Sequence, residues 1–366
     1  MLAILTRDSG DEGAWHQMKA THTLNEMAAA PEIVVLAGGV GAARFLRALH
    51  LARPRADVLA IVNTGDDTVV NGLNVSPDLD TVTYTLADAI DPGRGWGLQD
   101  ETWTAMDSLA RYATVRPPES SAPNDWFNLG DRDLATHLYR TARRGEGATL
   151  QTVTDEIARA WNVPYRMSPM TNEPVETHVT LAAEVTTADG HRYSHGEVVS
   201  FQEYFVRLRH GVAISNVSFV GADTATPLCM DELAAATGVV IAPSNPVVSI
   251  GPIRALRGVE ATLAERRESV VAISPIIGGA ALKGPADRML RELGHETSAL
   301  GVARMYAAIC GTLVIDTVDA PLRDAIEALG MRCIVTDTIM KSPEVARALA
   351  DVVIAAMAAP KNRTRL

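Results

Sequence analysis

Four aspartates close together in the sequence are the residues of this 366-residue chain best suited to chemistry: Asp66, Asp67, Asp78 and Asp80. Magnesium takes one or two carboxylates together with water and substrate phosphates, and it neutralises the charge that builds up during phosphoryl transfer. One aspartate, with Asp66 and Asp80 as the candidates, is also suited to act as the catalytic base for an attacking hydroxyl. The cluster therefore predicts a Mg²⁺ site. The alternative is that Asp78 and Asp80 only form a turn or cap a helix.

A glycine-rich turn is the candidate phosphate site. Gly38, Gly39, Val40 and Gly41 stand between an apolar run and a helical pattern. Their backbone NH groups would then lie at a helix N-terminus, which favours a phosphate. The turn lacks the Gly-Lys-Ser/Thr ending of a P-loop, and Arg44 stands where a dinucleotide motif has its third glycine. The alternative is a turn that needs glycine only for its dihedral angles.

Two later loops are candidates for wrapping a nucleotide. Ser244-Asn245-Pro246 and Ser274-Pro275 each follow a short apolar run. The side chain of Asn245 offers the paired donor and acceptor that suit a base edge or a ribose. The alternative is a proline-fixed turn in which Asn245 bonds its own backbone, and the residue types alone favour this turn.

The histidines and aromatic residues give weaker signals. His137 and His178 show no metal-ligand partner three or four residues away, so both are interpreted as structural. Aromatic side chains in and after a glycine-rich span either stack on a flat ring or pack a loop against the core. They are Trp96, Trp103, Trp126 and Phe127.

Composition excludes several classes of protein. A formal net charge of −11 argues against a nucleic-acid surface, since no basic patch is evident. The densest basic segment, with Arg140, Arg143 and Arg144, lies on a predicted helix and is interpreted as a solvated face, with phosphate binding as the less favoured alternative. Three widely spaced cysteines, no apolar run of membrane-spanning length and no secretory signal indicate a cytoplasmic protein that binds neither nucleic acid nor membrane.

The elements that must position these residues form an α/β pattern. Short apolar runs at 33–37 and 58–62 are separated by a helical pattern, which predicts a βαβ unit and a parallel sheet. Four later apolar runs, at 239–241, 270–273, 313–315 and 333–335, each end in polar residues. Ligands of a doubly wound sheet bind beyond the carboxyl ends of its strands, so these polar ends should converge on one crevice.

The middle of the chain shows a different pattern. Residues 130–162 are typical of helices, and residues 176–210 alternate like antiparallel strands, including a strand at 198–208. We therefore expect a Rossmann-like, mostly parallel sheet with helices on both faces and an inserted, smaller α+β lobe. The expected divisions are an N-terminal extension at 1–30, a first core part at 31–125, the inserted lobe at 126–215 and a second core part at 216–366.

Six motifs in order resemble the phospholactate transferase family, CofD, called FbiA in actinobacteria. They lie at 36–45, 63–67, 76–81, 128–137, 242–252 and 274–288. The resemblance implies a Mg²⁺-dependent transfer of a phospho-carboxylic acid from a donor activated with guanosine diphosphate (GDP) to the ribityl hydroxyl of the deazaflavin Fo. The products would be GMP and an early form of coenzyme F420. It also implies a homodimer, and it leaves open whether the acid is phospholactate, phosphoenolpyruvate or phosphoglycerate.

Carried over by position, the resemblance assigns roles to individual residues. The nucleotide-binding residues it implies are Gly38, Gly39, Val40, Gly41, Ser244, Asn245, Pro246 and Ser274. The deazaflavin-binding residues it implies are Asn63, Thr64, Asp80, Trp96, Asn128 and Asp131.

Two rival functions come from other classes. A related, YvcK-like group of non-enzymatic nucleotide-sugar-binding regulators is similar in the glycine-rich turn, but it has no need of both the aspartate series and the segment Leu129-Gly130-Asp131-Arg132-Asp133. An NAD(P)-dependent oxidoreductase is disfavoured by the broken glycine fingerprint.

Overall fold

The computed structural model of the protein describes residues 30–117, 120, 122, 126–188 and 190–358. All but the last residue of the predicted N-terminal extension, 1–30, therefore lies outside the described residues.

The strands occur along the described chain from Ile33 to Val335. In chain order they are β1 (Ile33–Ala37), β2 (Val58–Val62), β3 (Thr68–Val70), β4 (Leu73–Val75), β5 (Arg166–Pro169), β6 (Glu176–Leu181), β7 (Val185–Thr186), β8 (Arg192–Tyr193), β9 (Val198–Ser200), β10 (Ile214–Val220), β11 (Gly238–Ile241), β12 (Val270–Ile273), β13 (Ile276–Ile277), β14 (Ala280–Ala281), β15 (Thr312–Ile315) and β16 (Arg332–Val335).

The helices connect these strands and cover the main sheet. In chain order they are α1 (Gly39–Ala52), α2 (Pro77–Leu86), α3 (Thr104–Ala110), α4 (Asp133–Gly145), α5 (Leu150–Ala160), α6 (Met230–Ala235), α7 (Gly251–Ala255), α8 (Val259–Glu265), α9 (Ala286–Glu292), α10 (Ala299–Tyr306), α11 (Arg323–Glu327) and α12 (Pro343–Ala358).

Seven strands form one parallel sheet in the order β16-β15-β12-β11-β1-β2-β5. Every neighbouring pair in it is parallel. The chain builds outward from β1 through β2 to β5, then returns to the other side of β1 and builds outward from β11 to β16. The strand order therefore reverses between β1 and β11, where a doubly wound sheet forms its ligand crevice. The predicted fold class is confirmed.

The sheet is buried on both faces, which explains why its strands read as continuous apolar runs. Val34 and Leu36 of β1 belong to one hydrophobic cluster, whereas Ile33, Val35 and Ala37 belong to another on the opposite face. On that second face α1 packs against α2 and α12. Burying one such aliphatic side chain is worth roughly 1.5–3 kcal/mol, so this alternation fixes the register of the sheet strongly.

The segment 126–215, predicted as an inserted lobe, divides between two sheets. Its strand β5 extends the edge of the main sheet beside β2, whereas β6 pairs with β9 and β10 in a separate antiparallel sheet. The strand predicted at 198–208 is wrong beyond Ser200, because residues 203–207 form a helical turn that buries Tyr204.

Across the described part of the chain, no helix combines the length and the apolar character that crossing a membrane requires.

Candidate active site

The glycine turn and the late Ser-Asn-Pro loop face each other at the switch point. The turn follows β1 directly, and residues 242–246 follow β11, its neighbour in the sheet. A Cβ atom on Gly41 would overlap the carbonyl oxygen of Pro243, so the two loops touch backbone to backbone. Gly39 has φ +69°, a conformation that side chains other than glycine rarely adopt. Close packing thus explains the glycine at position 41, and the dihedral angle explains the one at position 39. The alternative interpretation of the turn predicts a need for glycine of this kind.

Asn63 joins the acidic residues to both loops. It follows β2 and is fully buried. Its amide group donates to Asp66 Oδ1 at 3.0 Å and to Asp78 Oδ2 at 2.9 Å, and it lies 3.4 Å from the carbonyl oxygen of Val248. Its own side-chain oxygen accepts from the backbone NH of Gly65. One buried side chain therefore fixes the aspartate loop, the start of α2 and the loop after β11 relative to one another.

Three of the four predicted aspartates form an acidic group: Asp66 and Asp78 are buried and bonded to Asn63, and Asp67, beside Asp66, is half-buried. Burial raises the pKa of Asp67 to about 8 and that of Asp78 to about 6, and it raises the pKa of Asp66 well above its usual range. For Asp66, the neighbouring carboxyls of Asp78 and Asp67 raise the pKa further. Such a group holds protons or a cation, because several charges cannot share a dry site unpaired.

Hydrogen bonds hold the acidic group in place without satisfying all of its oxygens. Ser76 Oγ donates to Asp67 Oδ2 at 2.7 Å, and a backbone hydrogen bond from Gly39 favours the charged form of Asp78. Among the described residues, neither Asp67 Oδ1 nor the hydroxyl of Thr64 has a hydrogen-bond partner, although both atoms are buried. Buried oxygens are usually hydrogen-bonded, so these two atoms are candidates for contact with a ligand.

Asp80 occupies a different environment from the other three. Both of its carboxylate oxygens accept from the guanidinium of Arg140, a side chain that is only 2% exposed. His137 Nδ1 lies 3.7 Å from Asp80 Oδ2, and His137 Nε2 lies 3.3 Å from Asp133 Oδ2. The hydroxyl of Tyr84 reaches Asp133 Oδ1 at 2.5 Å. Asp80 is therefore committed to a buried ion-pair network, and its catalytic role stays a prediction.

That network contains the one trio of potential metal ligands found among the described residues. The ligand atoms of Asp80, Asp133 and His137 lie within 4.8 Å of one another. The sequence-based statement that His137 lacks a ligand partner is thus wrong, since Asp133 precedes it by four residues. Arg140 already takes both oxygens of Asp80, so a cation there would face an adjacent guanidinium. The trio therefore suits an ion pair better than a metal.

A cavity of about 450 Å³ opens beside the acidic group. Its walls come from the Asp66-Asp67 loop, the β3–β4 hairpin, α4, residues 172–177 and residues 200–202. Asp66 and Asp67 face it from one side, and Arg140 and Arg144 line it from α4. Gln202 closes it near Asp66, whose backbone oxygen accepts from Gln202 Nε2 at 3.1 Å.

Other residues predicted for the nucleotide lie in well-formed turns. The side-chain oxygen of Asn245 accepts from the backbone NH groups of Val247 and Val248, as the turn interpretation predicts. The hydroxyl of Ser274 bonds to the backbone of Ile276. By contrast, the buried hydroxyl of Ser244 has no partner within the described part of the chain.

The residues predicted for the deazaflavin do not all meet. Asn63 and Thr64 lie at the acidic group, whereas Trp96, Asn128 and Asp131 do not line the cavity. Trp96 is 47% exposed and lies against Trp103 and Arg94. Asp131 caps α3: it accepts from the hydroxyl of Thr102, the main cause that lowers its pKa to about 2, and from the backbone NH groups of residues 104 and 105.

Arg140 and Arg144 are the site residues that sequence reasoning placed wrongly. The run at 140–144 was interpreted as solvated, yet Arg140 is buried, and only Arg143 pairs outward with Glu156. A signal was present: Asp133, His137, Arg140 and Arg144 follow one another at spacings of four, three and four. That spacing places them on one face of a helix.

Fold and site define an α/β protein whose polar loops converge at the switch point of a parallel sheet. The family model of 2-phospho-L-lactate transferase CofD matches residues 33–352. The chain belongs to this family and is a transferase of coenzyme F420 biosynthesis.

Curated relatives are similar over most of their length. A phosphoenolpyruvate transferase of Streptomyces griseus is 42% identical over 321 residues, which cover 87% of this chain and 96% of the relative. A protein of the same description from Nocardia farcinica is 40% identical, covering 87% and 94%. A third, from Mycobacterium tuberculosis, is 42% identical over 300 residues, covering 78% and 86%.

Solved structures of lower similarity share the fold. Two crystal structures of protein BH3568 from Bacillus halodurans, described in one case as a UPF0052 family member, superpose with TM-scores of 0.55 and 0.51. Both are 15% identical, and they cover 88% of this chain and 99% and 98% of their own chains. This likeness supports the architecture alone.

Proposed function

We propose that this transferase moves a phospho-carboxylic acid from a guanosine-diphosphate-linked donor to the ribityl hydroxyl of the deazaflavin Fo. The hydroxyl oxygen forms a new bond to the phosphorus that carries the acid, and the bond from that phosphorus to GMP breaks. The products are GMP and a phosphodiester, an early form of coenzyme F420. The observation that carries the proposal is that Asn63 joins Asp66, Asp78 and the loop after β11. The glycine turn adjoins the same side chain, since a Cβ atom on Gly38 would lie 3.3 Å from Asn63 Cβ.

The acidic group fits a magnesium ion. Asp66 and Asp78 share the amide of Asn63, which brings two carboxylates together at the switch point. Two carboxylates are what Mg²⁺ takes from a protein when phosphates and water complete its shell. When bound, the ion supplies positive charge that stabilises the transferred phosphoryl group and the leaving GMP.

The remaining site residues orient the reactants and move the proton. A cation bound at Asp66 and Asp78 would lower the raised pKa of Asp67 and leave its carboxylate ionised. Asp67 then accepts the proton of the attacking hydroxyl at Oδ1, the buried oxygen that has no partner among the described residues. The glycine turn and the late loops, with Ser244, Asn245, Pro246 and Ser274, hold the nucleotide. Asn63 and Thr64 lie nearest to the acceptor hydroxyl, and Trp96, Asn128 and Asp131 bind the deazaflavin farther from the chemistry.

Turnover with defined substrates tests the proposal. The protein is incubated with Fo, Mg²⁺ and, in turn, the guanosine-diphosphate esters of lactate, enolpyruvate and glycerate, and the products are followed by mass spectrometry. We expect one ester to give GMP and the matching phosphodiester in equal amounts, and EDTA to abolish both. Release of GMP without a deazaflavin product, or no turnover of any ester, would refute the proposal.

A further inference from the structure

Two arginines of α4 form a cationic wall of the active-site cavity. Arg140 and Arg144 are four residues apart, so they lie on one face of the helix. Both line the cavity, together with the loop that carries Asp66 and Asp67. Arg143, between them in sequence, points away and pairs with Glu156 and Glu146. The same helix thus presents one face to a ligand and another to a surface ion pair.

Arg140 is held rigidly at the inner end of this wall. Its guanidinium donates to both oxygens of Asp80 and approaches the carbonyl oxygen of Asn74 at 3.3 Å. A guanidinium has five N–H donors, and three of them are used in these contacts. Arg140 therefore serves as a fixed positive charge beside Asp67.

Arg144 follows Arg140 by four residues on α4, about 6 Å along the helix axis. Its Nη1 donates to the carbonyl oxygen of Ala148 at 2.9 Å. Within the described residues no carboxylate forms an ion pair with Arg144. Glu173 and Glu176 also line the cavity, but Glu173 accepts from Thr171 and Glu176 pairs with His178. Arg144 is thus a cation that faces a cavity without a counter-ion of its own.

Two buried hydroxyl groups complete the polar lining. Thr64 is 3% exposed and Thr177 is 2% exposed, and both line the cavity. Neither hydroxyl has a hydrogen-bond partner in the described part of the chain. Buried polar atoms are nearly always bonded, so the cavity is built for a ligand that carries acceptor oxygens.

We propose that Arg144, assisted by Arg140, binds the carboxylate of the acid that is transferred and thereby favours a donor that carries an acid over GDP itself. The inference rests on the proposed function, because it takes the diphosphate to lie against Asp66 and Asp78. The carboxylate of the acid is only a few bonds from the transferred phosphorus, so the group that binds it must lie in the cavity beside the acidic group, as Arg140 and Arg144 do. A planar guanidinium matches a carboxylate with two parallel hydrogen bonds.

Binding measurements on matched variants test the inference. Calorimetry compares GDP with the guanosine-diphosphate esters of lactate, enolpyruvate and glycerate on the wild type, on Arg144→Met and on the control Arg143→Met. We expect Arg144→Met to bind the ester that the wild type prefers about 10- to 100-fold more weakly, as the loss of charge-assisted hydrogen bonds predicts. Binding of GDP should stay unchanged, and Arg143→Met should match the wild type with every ligand. Arg144→Lys, which keeps the charge without the fork, should give an intermediate affinity.

The possible failures are distinguishable. If Arg144→Met binds the preferred ester as tightly as the wild type does, the inference is overturned while the proposed function stands. If the variant loses affinity for GDP and the ester equally, Arg144 acts on the nucleotide, and the assignment to the carboxylate is overturned. If the wild type binds neither GDP nor any ester, the proposed function falls, and the inference falls with it.

Discussion

Of the four aspartates, Asp67 is the best suited to accept a proton. Its Oδ1 atom is buried and lacks a partner among the described residues, while Oδ2 is fixed by Ser76. Asp66 and Asp78 are bound to each other through Asn63, and Asp80 is bound to Arg140. Residues of the same type within fifteen positions thus have three different sets of partners.

Replacing Asp67 tests its role directly. Asp67→Asn keeps the shape of the side chain but removes the proton acceptor, so we expect kcat to fall about 10²- to 10⁴-fold while KM changes little. The melting temperature should not fall, because a neutral amide is easier to bury than a carboxylate. Asp88→Asn, which removes an exposed partner of Arg47, is the control. Wild-type kcat in Asp67→Asn would remove Asp67 from the mechanism.

Asp80 should behave differently when it is replaced. Asp80→Asn leaves the buried guanidinium of Arg140 without its counter-ion, so we expect a loss of about 3–5 kcal/mol in the free energy of unfolding. Adding Arg140→Met to the same chain removes the unpaired charge and should restore part of that loss. Urea unfolding of the wild type, the single variant and the double variant measures both effects. If Asp80→Asn were as stable as the wild type, the ion pair would contribute nothing to the free energy of unfolding.

Among the elements, the turn from β1 to α1 depends most on glycine. A Cβ atom at Gly41 would overlap the backbone of Pro243, which cannot move without shifting the loop after β11. Gly145 at the end of α4 is the opposite case, since nothing lies within 4 Å of an added Cβ there.

The contrast between these two glycines is measurable. We expect Gly41→Ala to lower the free energy of unfolding by about 1–3 kcal/mol through overpacking. Gly145→Ala should leave it unchanged or raise it by up to about 1 kcal/mol, because alanine favours a helix more than glycine does. Urea unfolding gives both values. A tolerated alanine at Gly41 would mean that the two loops are not in backbone contact.

Strands with a continuous apolar run could be predicted from the sequence. Elements that form only through pairing or packing with distant segments could not. The core strands follow from runs such as Ile33–Ala37, because both faces of the parallel sheet are buried. Strand β5, Arg166–Pro169, carries an arginine and a proline and becomes a strand only by pairing with β2. Residues 203–207 alternate like a strand but form a helical turn, since packing decides between short patterns.

The sequence likewise predicts the part of the candidate site that lies at strand ends. Aspartates and glycines at strand ends identify the crevice, because the carboxyl ends of parallel strands meet at one edge of the sheet. The pairing of Asp80 with Arg140 joins residues 60 positions apart, and no local spacing indicates it. The contact of Asn63 with Val248 likewise joins residues far apart in the chain, and no local pattern indicates it.

For the molecule as a whole, ligand binding and stability should be linked. An ion or nucleotide that binds only the folded chain stabilises it by about 2.7 kcal/mol at a hundredfold excess over Kd. We therefore expect Mg²⁺ together with GDP to raise the melting temperature, and EDTA to reverse the change. Asp78→Asn should lose most of this shift, whereas Asp88→Asn should keep it. An equal shift in both variants would place the ion elsewhere.

The position of the cation is the most direct test of the account. A crystal grown with GDP and Mn²⁺, a stand-in for Mg²⁺ with an anomalous signal, would locate the ion independently of any assay. We predict a peak about 2–2.3 Å from carboxylate oxygens of Asp66 and Asp78, with the diphosphate between the glycine turn and the Ser-Asn-Pro loop. A peak at the Asp80, Asp133 and His137 trio, or a diphosphate bound away from the acidic group, would contradict it.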